Sequence, residues 1–325
     1  MSADGSPATG RHTRSSDSGS TAGPRSSAGS RGTGADAGVI HDIGYRHYSG
    51  PRLGRSHILR SLYLDGFRGA FGLGRSARSK VMPMVLLASM SIPALVIVVL
   101  VSVTNATELP IAYTSYALNL QLAVAIFVAA AAPTAVSRDL RYRTISLYFS
   151  RPLERGDYVL ARFAAMASAV FTLIAIPLTV LLAGALLAKL PLADQLRGYL
   201  TGLAGAAMFA VVLTGIALLI ASVTPRRGFG VAAVITVLLI LTAVGGALQA
   251  IADDQGHPTA AGYLGAINPF TLVDGVQVWA FDASASSPVG PPGTTGGLVF
   301  AALTVVVVLG SYALLLLRYR KVSVS

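Results

Sequence analysis

The chain has 325 residues, of which 53% are hydrophobic and only 12% are charged, and its mean hydropathy is +0.65. Soluble domains carry about 25% charged residues, so the composition predicts a membrane protein rather than a soluble domain with a large core. The absence of cysteine excludes disulfides, thiol catalysis and cysteine metal sites. The net charge of +11 would suggest nucleic acid in a soluble protein, but in a membrane protein the location of the basic residues matters more than their sum.

The N-terminal segment 1–38 contains no Val, Ile, Leu, Phe, Trp or Tyr. It therefore has no apolar region of a signal peptide, and it has too little apolar surface to offset the entropy of ordering. We expect a disordered, solvated tail.

A basic segment, residues 39–80, precedes the first long apolar run. Helical periodicity puts six apolar residues of this segment on one side, namely Ile58, Leu59, Leu62, Tyr63, Phe67 and Ala70. A basic amphipathic helix beside a membrane is expected to lie in the interface. Gly66 and Gly69 weaken this prediction, and a short helix packed on a protein partner is the alternative.

Six apolar runs follow, each long enough to cross about 30 Å of hydrocarbon and none containing Asp, Glu, Lys, Arg or His. They are Val81–Val103, Leu118–Val136, Phe163–Ala188, Tyr199–Val223, Phe229–Ile251 and Gly297–Leu317. Pro177 should kink the third run, and the short connections at 189–198 and 224–228 should separate neighbouring spans. The predicted class is an all-α membrane protein with a transmembrane domain at 81–321.

The distribution of Lys and Arg predicts the orientation. With both termini in the cytoplasm, 23 of the 25 basic residues lie on the cytoplasmic side, and only Lys189 and Arg197 lie outside. Basic residues concentrate on the cytoplasmic side of membrane proteins, so we expect a multi-pass protein of the plasma membrane with both termini inside.

The predicted outer loop, 252–296, contains a short apolar segment. Asn268 and Pro269 favour a helix start, and Leu272, Val273, Val276 and Trp279 follow at helical spacing. This helix is too short to span, and Trp279 is expected at headgroup depth. Residues 284–296 form a predicted Pro/Gly/Ser linker.

No motif for an enzyme or an ion-coupled carrier is found in the sequence. None of the three lysines follows a glycine, so there is no phosphate-binding loop, and there is no HExxH or GxSxG motif. The spans lack the ionisable groups that ion coupling usually requires, and ordinary interhelical bonding explains Asn119 and Gln121 equally well. We therefore predict neither catalytic, cofactor-binding nor metal-binding residues in this chain.

The connection at 137–162, predicted to be cytoplasmic, is the most informative segment. Residues 144–149 are apolar and aromatic but too short to span, and arginines flank them. Pro152 should stop this element, and Asp157 can cap the helix that continues into the third span. A short amphipathic helix at the inner face suits docking to a soluble partner, although such helices also lie on lipid.

The same connection resembles ABC-2 type transporter permeases. The residues that carry this resemblance are Asp139, Arg143, Thr144, Leu147, Tyr148, Ser150, Arg151, Pro152, Arg155, Tyr158 and Val159. The residues expected to couple to an ATPase are Asp139, Arg143, Thr144, Leu147, Tyr148, Phe149, Arg151, Pro152 and Arg155. Arg143 stands where that family commonly has glycine, and Ile145 stands where it commonly has leucine. The Asn268-Pro269-Phe270 step also looks like the family, and the stretch Gly44–Arg52 is similar to its actinobacterial members.

This resemblance implies a six-helix permease with a cytoplasmic coupling helix between its second and third spans. Two copies of a cytoplasmic ABC ATPase would dock there and supply the ATP hydrolysis, and a second permease copy, identical or related, would complete a dimer in membrane lipid. The expected function is export of a lipid, drug-like compound, natural product or polysaccharide. A membrane anchor or a regulatory or assembly subunit is the alternative, and the sequence does not identify the substrate.

Overall fold

The computed structural model describes residues 50, 54–74, 76–104, 106–141, 153–224 and 226–321. The prediction of a disordered tail at 1–38 lies outside these residues. Their regular structure is helical, in the order α1 (Arg55–Ala70), α2 (Ala77–Thr104), α3 (Tyr116–Asn119), α4 (Gln121–Arg141), α5 (Arg155–Leu187), α6 (Leu192–Val223), α7 (Arg227–Asp254), α8 (Pro258–Leu264), a 3-10 turn (Gly265–Ile267), α9 (Pro269–Phe281) and α10 (Gly293–Lys321).

Five of these helices, α2, α5, α6, α7 and α10, are long and apolar enough to cross a membrane. Each contains one of the predicted apolar runs, apart from Ala188, and extends beyond it by a few residues at one or both ends. The extension is largest at α5 and α6. The α5 helix begins eight residues before its apolar run and α6 begins seven residues before its run, because helical hydrogen bonding continues past the apolar segment. The prediction of a multi-pass helical membrane protein is confirmed at this level.

The second predicted span, Leu118–Val136, differs from the observed structure. The helix breaks at Leu120, which has φ −109° and ψ 24°, so the predicted span begins in α3 and continues in α4. Beside this break, the side-chain amide and the backbone N–H of Asn119 both donate to the carbonyl of Ser115 at 3.0 Å. The apolar part of α4, Gln121–Val136, reaches about 24 Å, less than the about 30 Å of a hydrocarbon core.

The α4 helix lies in the centre of the packed helices. Phe127, Val128, Ala129 and Ala132 are each at most 1% exposed, and α4 contacts α5, α6 and α7. Alanines at these positions allow close approach of neighbouring helices, as in membrane bundles. This helix is buried by protein, whereas α2, α7 and α10 expose many large apolar side chains.

The predicted hairpin between the third and fourth apolar runs is observed. The α5 helix ends at Leu187, α6 begins at Leu192, and these two helices share the most extensive interhelical packing among the described elements. The α6 helix ends at Val223 and α7 begins at Arg227, so two separate helices are observed where the sequence predicts a break between spans. The α5 helix continues through Pro177 as a single helix.

The α1 helix covers the predicted amphipathic segment and packs on α5 and α4. Leu62 and Ala70 are buried, while Ser61, Asp65 and Arg68 are exposed. Gly66 lies against α5, where a Cβ atom at this position would be 2.8 Å from the Cβ of Ala165. Gly66 lowers the helix propensity of this segment, but its missing side chain allows α1 to pack closely against α5.

Candidate functional site

The described structure contains only part of the predicted coupling segment. Asp139 lies in the last turn of α4 and Arg155 is the first residue of α5. Thr144, Leu147, Tyr148 and Phe149, together with Arg143, Arg151 and Pro152, fall outside the described residues. The structure therefore shows how the end of the connection at the start of α5 is held, and the docking residues themselves stay a prediction.

The start of α5 is fixed by a capping box. Glu154 is the N-cap residue, and its backbone N–H donates to the carboxylate of Asp157 at 3.2 Å. Asp157 was predicted to be the cap; it is instead the third residue of the helix, because the reciprocal arrangement satisfies donors on both residues. Leu153, which precedes the cap, is buried.

An arginine from α1 binds both acidic residues of this cap. The guanidinium of Arg55 makes a two-pronged contact with Asp157, in which Nη2 and Nε each lie 2.7 Å from a carboxylate oxygen. Its Nη1 lies 3.1 Å from Oε1 of Glu154. Arg55 is half exposed and Glu154 is mostly exposed, so solvent screens this part of the interaction. The planar guanidinium nevertheless sets the geometry between α1 and the start of α5.

A second arginine, Arg162, lies two turns further along α5 and is largely buried. Its side chain is 7% exposed, and its Nη1 donates to Asp65 of α1 at 3.1 Å. The guanidinium also lies 5.6 Å from the ring centroid of Tyr158, within the range of a cation–π contact. A buried charge needs such partners, because desolvation without them is costly.

The C-terminal helix joins the same cluster. Tyr319 of α10 packs on Tyr158 with ring centroids 5.3 Å apart, and both side chains are at most 2% exposed. Arg155 donates from Nη1 to the backbone carbonyl of Arg320 at 3.0 Å, near the end of α10, where carbonyl groups lack helical partners. Three helices from distant parts of the chain thus meet at the start of α5.

We refer to this cluster as the loop anchor. It consists of Arg55, Asp65, Glu154, Arg155, Asp157, Tyr158, Arg162 and Tyr319. Of these residues, sequence reasoning singled out only Arg155, Asp157 and Tyr158 for this region. Arg55 and Arg162 are two among many basic residues in the sequence, and only the packing of α1 on α5 distinguishes them.

The opposite end of the α5–α6 hairpin borders a polar cleft of about 490 Å³. Tyr113 and Gln195 lie in its wall, where the buried phenol donates to Gln195 Oε1 at 2.9 Å. Burial raises the pKa of Tyr113 to about 12, so this phenol stays protonated at neutral pH. Asp194 and Arg197 also line the cleft and are exposed.

The α9 helix carries polar groups that the sequence analysis did not identify. Its predicted start is confirmed, since Asn268 is the N-cap and its Oδ1 accepts the N–H of Phe270 at 3.0 Å. Gln277 is 0% exposed, and neither atom of its amide has a hydrogen-bond partner among the described residues. Asp274 is 2% exposed and accepts the backbone N–H of Ser286 at 3.0 Å. Apolar spacing predicted the helix but gave no signal that its polar face would be buried.

No protein-family model matches this chain, and no curated protein matches it. The geometry of the loop anchor and the residues of the sequence therefore carry the functional argument alone.

Proposed function

We propose that this chain is the membrane-spanning subunit of an ATP-driven ABC-2 type exporter, and that a separate cytoplasmic ATPase docks on the connection between α4 and α5. The observation that carries the proposal is the loop anchor, which ties the end of this connection to α1, α5 and α10. A force applied to the connection would reach three helices at once, two of which are long enough to span the membrane.

The chemistry of the connection favours a protein partner. Leu147, Tyr148 and Phe149 are apolar and aromatic, and the flanking Arg143 and Arg151 are cationic. Aromatic side chains surrounded by charged ones are typical of protein–protein interfaces. The central aromatic side chains contribute most of the affinity there, and the charges at the rim mainly affect the association rate. The partner groove would be apolar at its centre and acidic at its rim.

The proposal includes a dimer of permease subunits, two ATPase chains and cytoplasmic termini. The charge asymmetry of the sequence supports this orientation, because 23 of 25 basic residues fall on one side. The absence of a phosphate-binding loop from the sequence supports a separate ATPase, because ATP binding by such enzymes uses a glycine-rich loop with a lysine. The cargo is not specified by these arguments.

A pull-down of the co-expressed ATPase tests the docking at matched membrane expression. Tyr148→Ala or Phe149→Ala should reduce affinity by about thirtyfold, since a central aromatic anchor contributes about 2 kcal/mol or more. Arg151→Ala should weaken association less, and this loss should shrink at high salt. Tyr263→Ala, in α8 at the predicted outer side, is the matched control and should leave recovery unchanged.

Undiminished ATPase recovery with Leu147, Tyr148 and Phe149 all changed to alanine would refute the docking. If the triple variant recovers less ATPase and the cell nevertheless keeps the activities that depend on this chain, those activities do not need ATPase docking. The chain then acts as an anchor or assembly subunit rather than as a permease.

A reporter fused after Lys321 should be cytoplasmic, and one inserted at Ser286 should be external.

A further inference from the structure

Lys189 occupies a backbone conformation that favours glycine. It follows the last residues of α5 with φ +62°, in the left-handed region. The N–H of Lys189 donates to Leu186 O and that of Leu190 to Ala185 O, each at 3.0 Å, which is the hydrogen-bond pattern of a Schellman helix end. Glycine is the preferred residue at this position because a side chain is strained there. A lysine at this position suggests that its side chain has a use that offsets the strain.

Lys189, which is exposed, is among the residues lining a cleft of about 520 Å³ beside the end of α2. The other lining residues include the apolar Val101, Leu187 and Leu190 and the polar Thr107. Within the described part of the chain, Lys189 is the only charged residue that lines this cleft. Glu108, which is next to Thr107 in the sequence, does not line it. The cleft thus combines apolar walls with one cation.

The location of the cleft is also informative. The α2 helix ends at Thr104 and α5 ends at Leu187, so the cleft lies where two membrane-crossing helices end. Leu187 is 82% exposed, which is expected at the edge of hydrocarbon. Lys189 is one of only two basic residues on the side that charge asymmetry assigns to the exterior, where positive charge is otherwise avoided.

We propose that this cleft is a binding site for an anionic phospholipid. The phosphate of the headgroup pairs with the Lys189 ammonium group, and the acyl chains contact the apolar walls and the exposed face of α2. A free phosphate would use the cation but none of the apolar surface, and a zwitterionic phospholipid would bring a second cation toward Lys189. The site does not depend on the proposed transport function.

Lys189→Gly is an informative variant because it removes the charge and relieves the backbone strain together. The variant should fold at least as well as the natural chain, and it should bind anionic lipid about fivefold more weakly, since one basic side chain near a lipid surface contributes about that factor. Native mass spectrometry of the purified protein, from nanodiscs of phosphatidylcholine with and without phosphatidylglycerol, measures the retained lipid. Lys189→Arg should retain phosphatidylglycerol.

Lys80→Gln is the matched control, because Lys80 lies near the opposite end of α2 and should affect retention little. Equal losses for Lys80→Gln and Lys189→Gly would show general interfacial attraction and would overturn the site. Unchanged phosphatidylglycerol retention in Lys189→Gly would also overturn it. Amine labelling gives a second readout, since Lys189 is one of three lysines and should be protected by phosphatidylglycerol but not by inorganic phosphate at the same concentration. Equal protection by inorganic phosphate would contradict the lipid assignment.

Discussion

The two ends of the α5–α6 hairpin use charged and polar side chains in different ways. At the loop anchor, ion pairs connect α1 to α5, and Arg55, Asp65 and Glu154 of these pairs are at least half exposed. Stacked tyrosines and a hydrogen bond from Arg155 connect α10 to α5. Near the other end, α9 buries Asp274 and Gln277 almost completely against apolar helices. Exposed ion pairs contribute little stability but define orientation, whereas buried polar groups carry a desolvation cost. The stability of the anchor should therefore depend on its aromatic core, and that of the α9 region on packing and protonation.

Removal of the aromatic core of the anchor should have the largest effect. Tyr158→Ala leaves a cavity beside Tyr319 and should destabilise the protein by about 3–5 kcal/mol, the usual range for removing a large buried ring. Thermal unfolding of the purified protein in detergent measures this loss. Tyr263→Ala, at a tyrosine that is 37% exposed, should cost much less. Equal losses for the two variants would contradict a stability role for the anchor's rings.

A methyl group added in α9 should have the next largest effect. A Cβ atom at Gly275 would lie 2.2 Å from the ring of Phe300, so Gly275→Ala should cost about 1–3 kcal/mol through overpacking. Gly246→Ala in α7 meets no atom within 4 Å and should stabilise that helix by up to about 1 kcal/mol. Opposite shifts in melting temperature are the expected result. A neutral Gly275→Ala would mean that α9 packs less tightly than the structure shows.

The burial of Asp274 predicts a pH dependence at the α9 end. Desolvation raises the pKa of Asp274 in the folded protein above its value in the unfolded chain. The folded state therefore keeps the Asp274 carboxyl protonated to a higher pH than the unfolded chain does. The stability that this protonation contributes is fully present below the pKa of the unfolded chain and is lost as pH rises through the pKa of the folded protein. Asp274→Asn should remove this dependence while its side-chain oxygen still accepts from Ser286. Unfolding midpoints of the natural chain and of Asp274→Asn, measured across acidic and neutral pH, test this prediction. The same pH dependence in both proteins would contradict a role for the buried carboxylate.

The smallest effect on stability is expected at Arg55. Arg55→Gln removes the ion pairs of a half-exposed arginine and should change the melting temperature little, and less still at high salt. Its effect on the proposed ATPase-coupled transport should be larger than its effect on melting, because Arg55 sets the geometry between α1 and the start of α5 rather than stabilising the bundle. A large loss of stability that persists in high salt would contradict this division.

The membrane class of the protein and most of its helices were predictable from sequence. Long uncharged apolar runs predict spanning helices because backbone groups in hydrocarbon must bond within the segment. The start of α9 was predictable because Asn268-Pro269 is a local signal. The break at Leu120 was missed, since the apolar run Leu118–Val136 is continuous across it and gives no local signal of a helix end.

The sequence by itself determined the hydrophobic segments and their approximate ends, because these depend on the transfer of side chains from water and on local hydrogen bonding. It also determined the charge asymmetry, which is a matter of where Lys and Arg stand along the chain. Only the tertiary structure decided which of the many arginines form the loop anchor, that Gly66 is a helix contact, and that Asp274 and Gln277 are buried. These features depend on contacts between residues as far as 165 positions apart, as for Arg155 and Arg320. Such contacts arise from how whole helices pack, and no local pattern in the sequence encodes the partner of an individual side chain.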